Sequence, residues 1–157
     1  MAIEIERKFL VCSTSYRKEA ISEKRILQGF LNTHPERTVR IRVMGDEAYI
    51  TVKGKSNVAG TSRFEWEQSI SIAAAEALLQ LCEKGVIEKI RFEVPVGNHI
   101  FEIDEFSREN TGLVVAEIEL AEEDEHFVKP TWLGEEVTGD IRYYNSNLSK
   151  NPFQTWN

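Results

Sequence analysis

The sequence predicts a mainly β domain, an antiparallel barrel or sandwich of about eight strands with few helices. Three observations carry this. Apolar and polar residues alternate with a period of two in segment after segment, as strands with one covered face require. Turn-forming residues separate these segments at short spacing, which suits hairpins better than βαβ crossovers. Only Ala73 to Lys84, rich in Ala, Leu and Glu, has a clear helical composition. At 157 residues, 41% of them hydrophobic and 10% aromatic, the chain fits one domain over residues 1–157 with its own core.

Each element has its own signal. Ile3 to Val11 alternates as a first strand, and Tyr16 to Glu23 reads as a short helix capped by Ser13, Thr14 or Ser15. Lys24 to Asn32 is a second strand, ended by the turn Thr33-His-Pro-Glu36. Thr38 to Val43 and Glu47 to Lys53 form a hairpin around Met44-Gly-Asp46, and the small, polar residues from Lys55 to Thr61 form a loop. Arg63 to Ile72 is a strand with Phe64, Trp66, Ile70 and Ile72 on its apolar face. The helix ends at Gly85, a natural C′ residue. Strands follow at Val86 to Val94, His99 to Phe106 and Leu113 to Leu120, with turns at Pro95-Val-Gly97 and Glu109-Asn-Thr-Gly112. Glu122 to Phe127 reads as a short acidic helix, and the residues after Trp132 as turns and a closing helical segment. Trp66 and Trp132, with apolar neighbours, are expected in the core, and Trp156 in a loosely held tail.

Composition narrows the partners. A formal net charge of −7 argues against duplex nucleic acid, which wants a basic footprint. No apolar run approaches the ~18 residues of a membrane span, and Met1-Ala2 leads straight into a strand, so the expected setting is the cytoplasm. Cys12 and Cys82 are far apart, and His34, His99 and His126 are scattered singly, so no zinc spacing exists and the thiols are expected to be reduced and buried. An uncovered strand could pair two copies as a homodimer.

The charges are patterned. On the first strand Glu4, Glu6 and Lys8 share one face, because strand side chains alternate. The device recurs at Arg40/Arg42, Lys53, Arg63/Glu65/Glu67, Lys89/Arg91 and Glu117/Glu119. These faces either look outward, as the wet side of an antiparallel sheet, or inward onto a shared channel; periodicity does not decide. A closed version must be hydrated, since desolvation costs several kcal/mol per ion. Its natural occupant is a polyanion carrying divalent cations, with Arg and Lys on phosphates and carboxylates on Mg²⁺ or Mn²⁺.

Here the chain resembles the CYTH superfamily, the triphosphate tunnel metalloenzymes. Glu4-x-Glu6-x-Lys8 matches its E-x-E-x-K signature. Arg40-x-Arg42, Thr51-x-Lys53, Arg63-x-Glu65-x-Glu67, Glu88-Lys89-x-Arg91, Phe101-Glu-Ile-Asp104 and Glu117-x-Glu119 follow in the family's order. Trp132-Leu-Gly-Glu-Glu-Val-Thr138 and Arg142-Tyr143-x-Asn145 resemble its small bacterial members. The resemblance implies an eight-stranded antiparallel closed β-barrel with a few flanking helices, its tunnel binding a small-molecule triphosphate. It implies metal-dependent hydrolysis, of inorganic tripolyphosphate above all, with Mg²⁺ or Mn²⁺ as cofactor. Lys8, Glu4 and Glu6 take the catalytic positions, and Arg40, Arg42, Lys53, Lys89, Arg91 and Arg63 the substrate-binding ones. Glu4, Glu6, Glu117, Glu119, Asp104, Glu65 and Glu67 take the metal side. Two family hydroxyls are replaced: Q-G-Y-L is Gln28-Gly29-Phe30-Leu31, and K-T-R-Y is Lys89-Ile90-Arg91-Phe92. In the family the tyrosine at position 30 pairs with the signature lysine, so Phe30 leaves a non-catalytic polyphosphate- or nucleotide-binding module open as an alternative, and the resemblance also leaves open a class IV-type adenylate cyclase acting on ATP.

Overall fold

The fold begins with β1 (Ile3–Val11), which carries the charged row Glu4, Glu6, Lys8 and makes the contact that closes the molecule. The computed structural model describes residues 3–156. Its other strands are β2 (Ser22–Asn32), β3 (Arg37–Met44), β4 (Glu47–Gly54), β5 (Ser62–Ile70), β6 (Ile87–Val96), β7 (His99–Phe106), β8 (Val114–Glu119) and β9 (Leu133–Glu136). All pairings are antiparallel, in the order β5-β4-β3-β2-β6-β7-β8-β1. The first half of β1 then pairs with β5 (Glu4 opposite Arg63) while its second half pairs with β8 (Glu6 opposite Glu119, Lys8 opposite Glu117), so eight strands form a closed barrel. Beyond the β5 contact, the freed edge of β1 takes β9, with Phe9 opposite Glu136 and Val11 opposite Leu133. Closure removes the open edges of a flat sheet, and the short β9 carries the remaining edge among the described residues.

The alternation of each strand separates two environments. Outward apolar residues of β6, β7, β8 and β1 (Val94, Phe101, Ile103, Ile118, Phe9) pack with Tyr16 and Trp132 from covering segments. Over β3 and β4, α1 (Ile72–Leu79) sets Ala75 against Ile41 and Ala48. A third cluster lies in the inward rows themselves. Phe30, Ile87, Phe106 and Val115 share strand faces with Gln28, Lys89, Asp104 and Glu117, and pack with Tyr143 and Leu148 of the C-terminal segment. The barrel therefore has an apolar floor at one end, completed by the short helix α2 (Asn145–Leu148), beneath a charged upper part.

Several local expectations are corrected. Residues after Thr14 form only a five-residue 3₁₀ turn, Ser15–Glu19, before β2 starts. Strand β5 ends at Ile70 because Ser71 caps α1, accepting from Ala74 N at 3.0 Å, so Ile72 is helical rather than extended. That helix stops at Leu79 and not at Gly85. The acidic run is a turn whose Glu123 binds Asn57 and Thr61 of the long loop. Leu133–Glu136, read from sequence as a turn, is a strand because β1 offers it an edge. Trp132 is in the core, but Trp66 is 47% exposed, since none of the described segments covers the outer face of β5 there. Trp156 is held: its Nε1 donates to Asn151 O at 3.0 Å and its ring packs on Tyr143 and Phe153. Cys12 is exposed and Cys82 partly so, and both are free thiols.

Gly85 has another role than helix termination. Its φ is +96°, and a Cβ there would lie 1.8 Å from Ser149 O, so the segment entering β6 presses directly on the end of α2. Gly85→Ala is expected to cost about 2 kcal/mol or more, lowering the thermal midpoint by several degrees. An unchanged melting curve would show that this approach of the tail to the barrel floor does not exist.

Candidate functional site in the barrel bore

The charged rows meet inside the barrel. A cavity of about 210 Å³ is lined by Glu4, Glu6, Lys8, Arg40, Arg42, Lys53, Arg63, Glu65, Glu67, Lys89, Arg91, Glu117 and Glu119. Of the residues singled out from sequence, Asp104 alone stands behind this lining. It is 1% exposed, and both its oxygens are taken: Arg91 donates from Nε at 2.8 Å and from a terminal nitrogen at 2.9 Å, and Lys89 Nζ lies at 2.7 Å. Arg91 and Lys89 hold its carboxyl down at about 2 against the opposing effect of burial. The geometry makes Asp104 an anchor for two cations.

The remaining charges divide unevenly. On one wall Arg40 and Arg42 stand side by side with few acids. Arg42 Nε donates to the neutral Gln28 at 3.0 Å, and Arg40 reaches Thr51 at 3.1 Å and Glu67 at 3.5 Å. Burial, then the neighbouring cations, lower the pKa of both guanidinium groups. Lys89, fully buried beside Arg91 and Arg42, is lowered to about 7, chiefly by desolvation. The buried ammonium of Lys8 makes no ion pair among the described residues and lies 4.4 Å above the Tyr144 ring.

Acids are in surplus on the other wall. Glu6 is pushed up to about 8 by burial and by Glu117 and Glu4. Burial also favours the neutral form of Glu117, but Lys8 and a hydrogen bond from Glu6 outweigh it and hold Glu117 well below the usual range. Glu119 and Glu102 are raised, first by burial and then by acidic neighbours. Glu4 is lowered despite burial because Lys53 Nζ sits 2.8 Å away, with Arg63 at 3.8 Å. Lys53 also reaches Glu65 at 3.4 Å.

Among the described residues no three carboxylates, histidines or cysteines converge on one point. The site nevertheless fits a hard divalent cation. Mg²⁺ takes one or two carboxylates and completes its shell with water and phosphate oxygens rather than sitting in a protein cage. The adjoining Glu6, Glu117, Glu119 and Glu102 supply such oxygens, and the raised pKa values of Glu6, Glu119 and Glu102 mark carboxyls that burial and acidic neighbours leave short of positive charge. Glu65 and Glu67 are partly engaged by Lys53 and Arg40.

Sequence reasoning missed part of the lining. Glu102 shares the inward row of Asp104, and period two could have found it. Thr38 lies on the Arg40 row in the same way. Tyr144, Asn145 and Ser146 come from the tail, and no strand pattern points to them. Phe30 is 5% exposed and lines the cavity without a hydroxyl; the phenol ring nearest Lys8 is that of Tyr144, which also lies 5.4 Å from Arg63.

Comparison with known proteins agrees with this geometry. The CYTH domain profile matches residues 2–150. An inorganic triphosphatase of Acetivibrio thermocellus is 47% identical over 159 residues, covering 99% of both chains. One from Nitrosomonas europaea is 36% identical over 151 residues, covering 93% of this chain and 96% of the relative. A crystal structure of an inorganic triphosphatase superposes with a TM-score of 0.67 at 33% identity, covering 93% of this chain and 97% of the other. The closed barrel, the ordered charged rows and these matches together show that the chain belongs to the CYTH domain family.

Proposed function

We propose that this chain is a metal-dependent triphosphatase that hydrolyses inorganic tripolyphosphate within the barrel, in the cytoplasm, using Mg²⁺ or Mn²⁺. One observation carries the reading: a surplus of buried cations and a surplus of buried acids face each other across one cavity, and neither neutralises the other. A triphosphate with a bound divalent cation supplies both missing charges at once. Two curated relatives named inorganic triphosphatase, matching nearly the whole chain, support the same substrate over a cyclase reaction.

The residues divide the work. Arg40, Arg42, Lys53, Lys89 and Arg91 neutralise the phosphate oxygens and hold the chain in line, since positioning and electrostatics dominate phosphoryl transfer. Arg63, close to both Glu4 and Tyr144, steadies the rim. Asp104 is assigned to orient Lys89 and Arg91. A bound Mg²⁺ or Mn²⁺ would withdraw electron density from the phosphate and lower the pKa of a coordinated water. Glu4, Glu6, Glu117 and Glu119 are the side chains that would hold it, with Glu65 and Glu67 at its margin. Glu6, in its ionised form, would accept a proton from the water that attacks the terminal phosphorus. The phosphoanhydride bond breaks, giving orthophosphate and pyrophosphate, and Lys8 neutralises charge on the departing oxygen.

Phosphate release from tripolyphosphate with Mg²⁺ or Mn²⁺ tests the reading directly; activity should vanish with a chelator. Measurable binding with no release under either metal would overturn it. Lys8→Met is expected to lower kcat by about 10²- to 10³-fold, as for other lost donors to developing negative charge. Glu6 also predicts a pH effect on the metal-free protein. Its folded pKa of about 8 lies above the ordinary 4.5, so its contribution to stability is present at low pH and is lost as pH rises toward 8. Glu6→Gln removes that loss. Denaturant unfolding with a chelator should show the variant gaining on the wild type from pH 5 to pH 8, and a constant difference would refute the assignment.

A further inference from the structure

Arg42 is a buried cation without a carboxylate partner among the described residues, yet its orientation is fixed. The group that fixes it is an amide, and amides are ambiguous. Gln28, fully buried on β2, accepts from Arg42 Nε through Oε1 at 3.0 Å. Turned over, the same side chain would aim its NH₂ at the guanidinium, donor against donor. Arg42, which has donors only, selects this sense, and an acceptor on the amide's far side reinforces it and holds the side chain in place.

That acceptor comes from outside the strands. Gln28 Nε2 donates to Asn145 Oδ1 at 2.9 Å, and Asn145 opens α2 at the barrel floor. The Asn145 amide is oriented in turn, because Lys89 Nζ donates to the same oxygen at 3.0 Å and an ammonium has donors only. Two donor paths therefore converge on Asn145 Oδ1, one from Arg42 through Gln28 and one directly from Lys89. Lys89 keeps a second anchor in Asp104, so loss of Asn145 falls mainly on Arg42.

We propose that Asn145 is a positioning residue for triphosphate binding, with the C-terminal segment setting the aim of Arg42 through Gln28. The proposal rests on the triphosphate reading above. Its order in the chain also explains why a tail residue reaches the cavity lining: the strands supply the cations, and the tail supplies the polarity that orients them.

The experiment compares the wild type with Asn145→Ala, Gln28→Leu and the double variant. Tripolyphosphate affinity is measured by calorimetry, KM and kcat by phosphate release, and folding by thermal unfolding. Each single change should weaken Kd and raise KM about tenfold, with kcat held within about twofold, as expected for a lost hydrogen bond to a charged group. The double variant should bind no more weakly than the worse single one, because both changes cut the same path from Arg42. Unaltered Kd in a folded Asn145→Ala protein, or losses that multiply in the double variant, would overturn the proposal. Should Asn145→Ala not fold, Asn145→Ser carries the same expectation. If the wild type binds tripolyphosphate without hydrolysing it, the hydrolase reading fails while the affinity comparison still decides this one; if the wild type does not bind, both fall.

Discussion

Charges removed from water must be answered nearby, and this barrel is organised around that requirement. Born-type costs forbid an enclosed bore that holds Arg40, Arg42 and Lys89 on one side and Glu6, Glu117 and Glu119 on the other unless their fields are compensated. Some are compensated internally: Asp104 ties Arg91 and Lys89, and Glu4 ties Lys53. Others are not, and Glu6 responds through its proton equilibrium, moved toward neutrality. The bore is thus under electrostatic tension that a ligand of mixed charge relieves. Binding strength here comes from groups already held away from solvent, which need little reorganisation when the ligand arrives.

The same constraint explains the placement of the apolar material. A conventional barrel packs its hydrophobic residues inward, but here the strands turn much of theirs outward, to be covered by Trp132, Tyr16 and α1. The inward rows become apolar only at Phe30, Ile87, Phe106 and Val115, where the tail closes the floor. One strand face thus changes character along its length, charged in the bore and greasy at its end. This gradient keeps water in the upper part, where ions need it, and out of the lower part, where packing holds the tail.

Much of this was legible in the sequence because strand periodicity is strict. Most of the charged rows could be read from it, Glu102 being missed, and every charged residue expected at the site except Asp104 lines the bore. Periodicity could not say whether the rows faced inward, since that depends on β1 reaching both β5 and β8. Nor could it show that Asp104 spends both oxygens on Lys89 and Arg91, because pairing across strands depends on register. The tail was least legible. Tyr144 and Asn145 sit in a segment of turns with no repeating pattern, and their importance comes from where the barrel floor receives them. Trp66 was misjudged because an apolar row predicts a covered face only when some segment lies over it.

The position of β1 between β5 and β8 also sets a timetable for the newborn chain. As the polypeptide leaves the ribosome, β1 emerges well before its partner β8, with six other strands in between. The barrel cannot shut until β8 has emerged, and such long-range pairing is intrinsically slow. During the wait, the acidic and basic side chains that later serve the bore keep this first strand hydrated and discourage it from sticking to other unfinished chains. The residues proposed to serve catalysis thereby also act, earlier, as the protein's safeguard against misassembly.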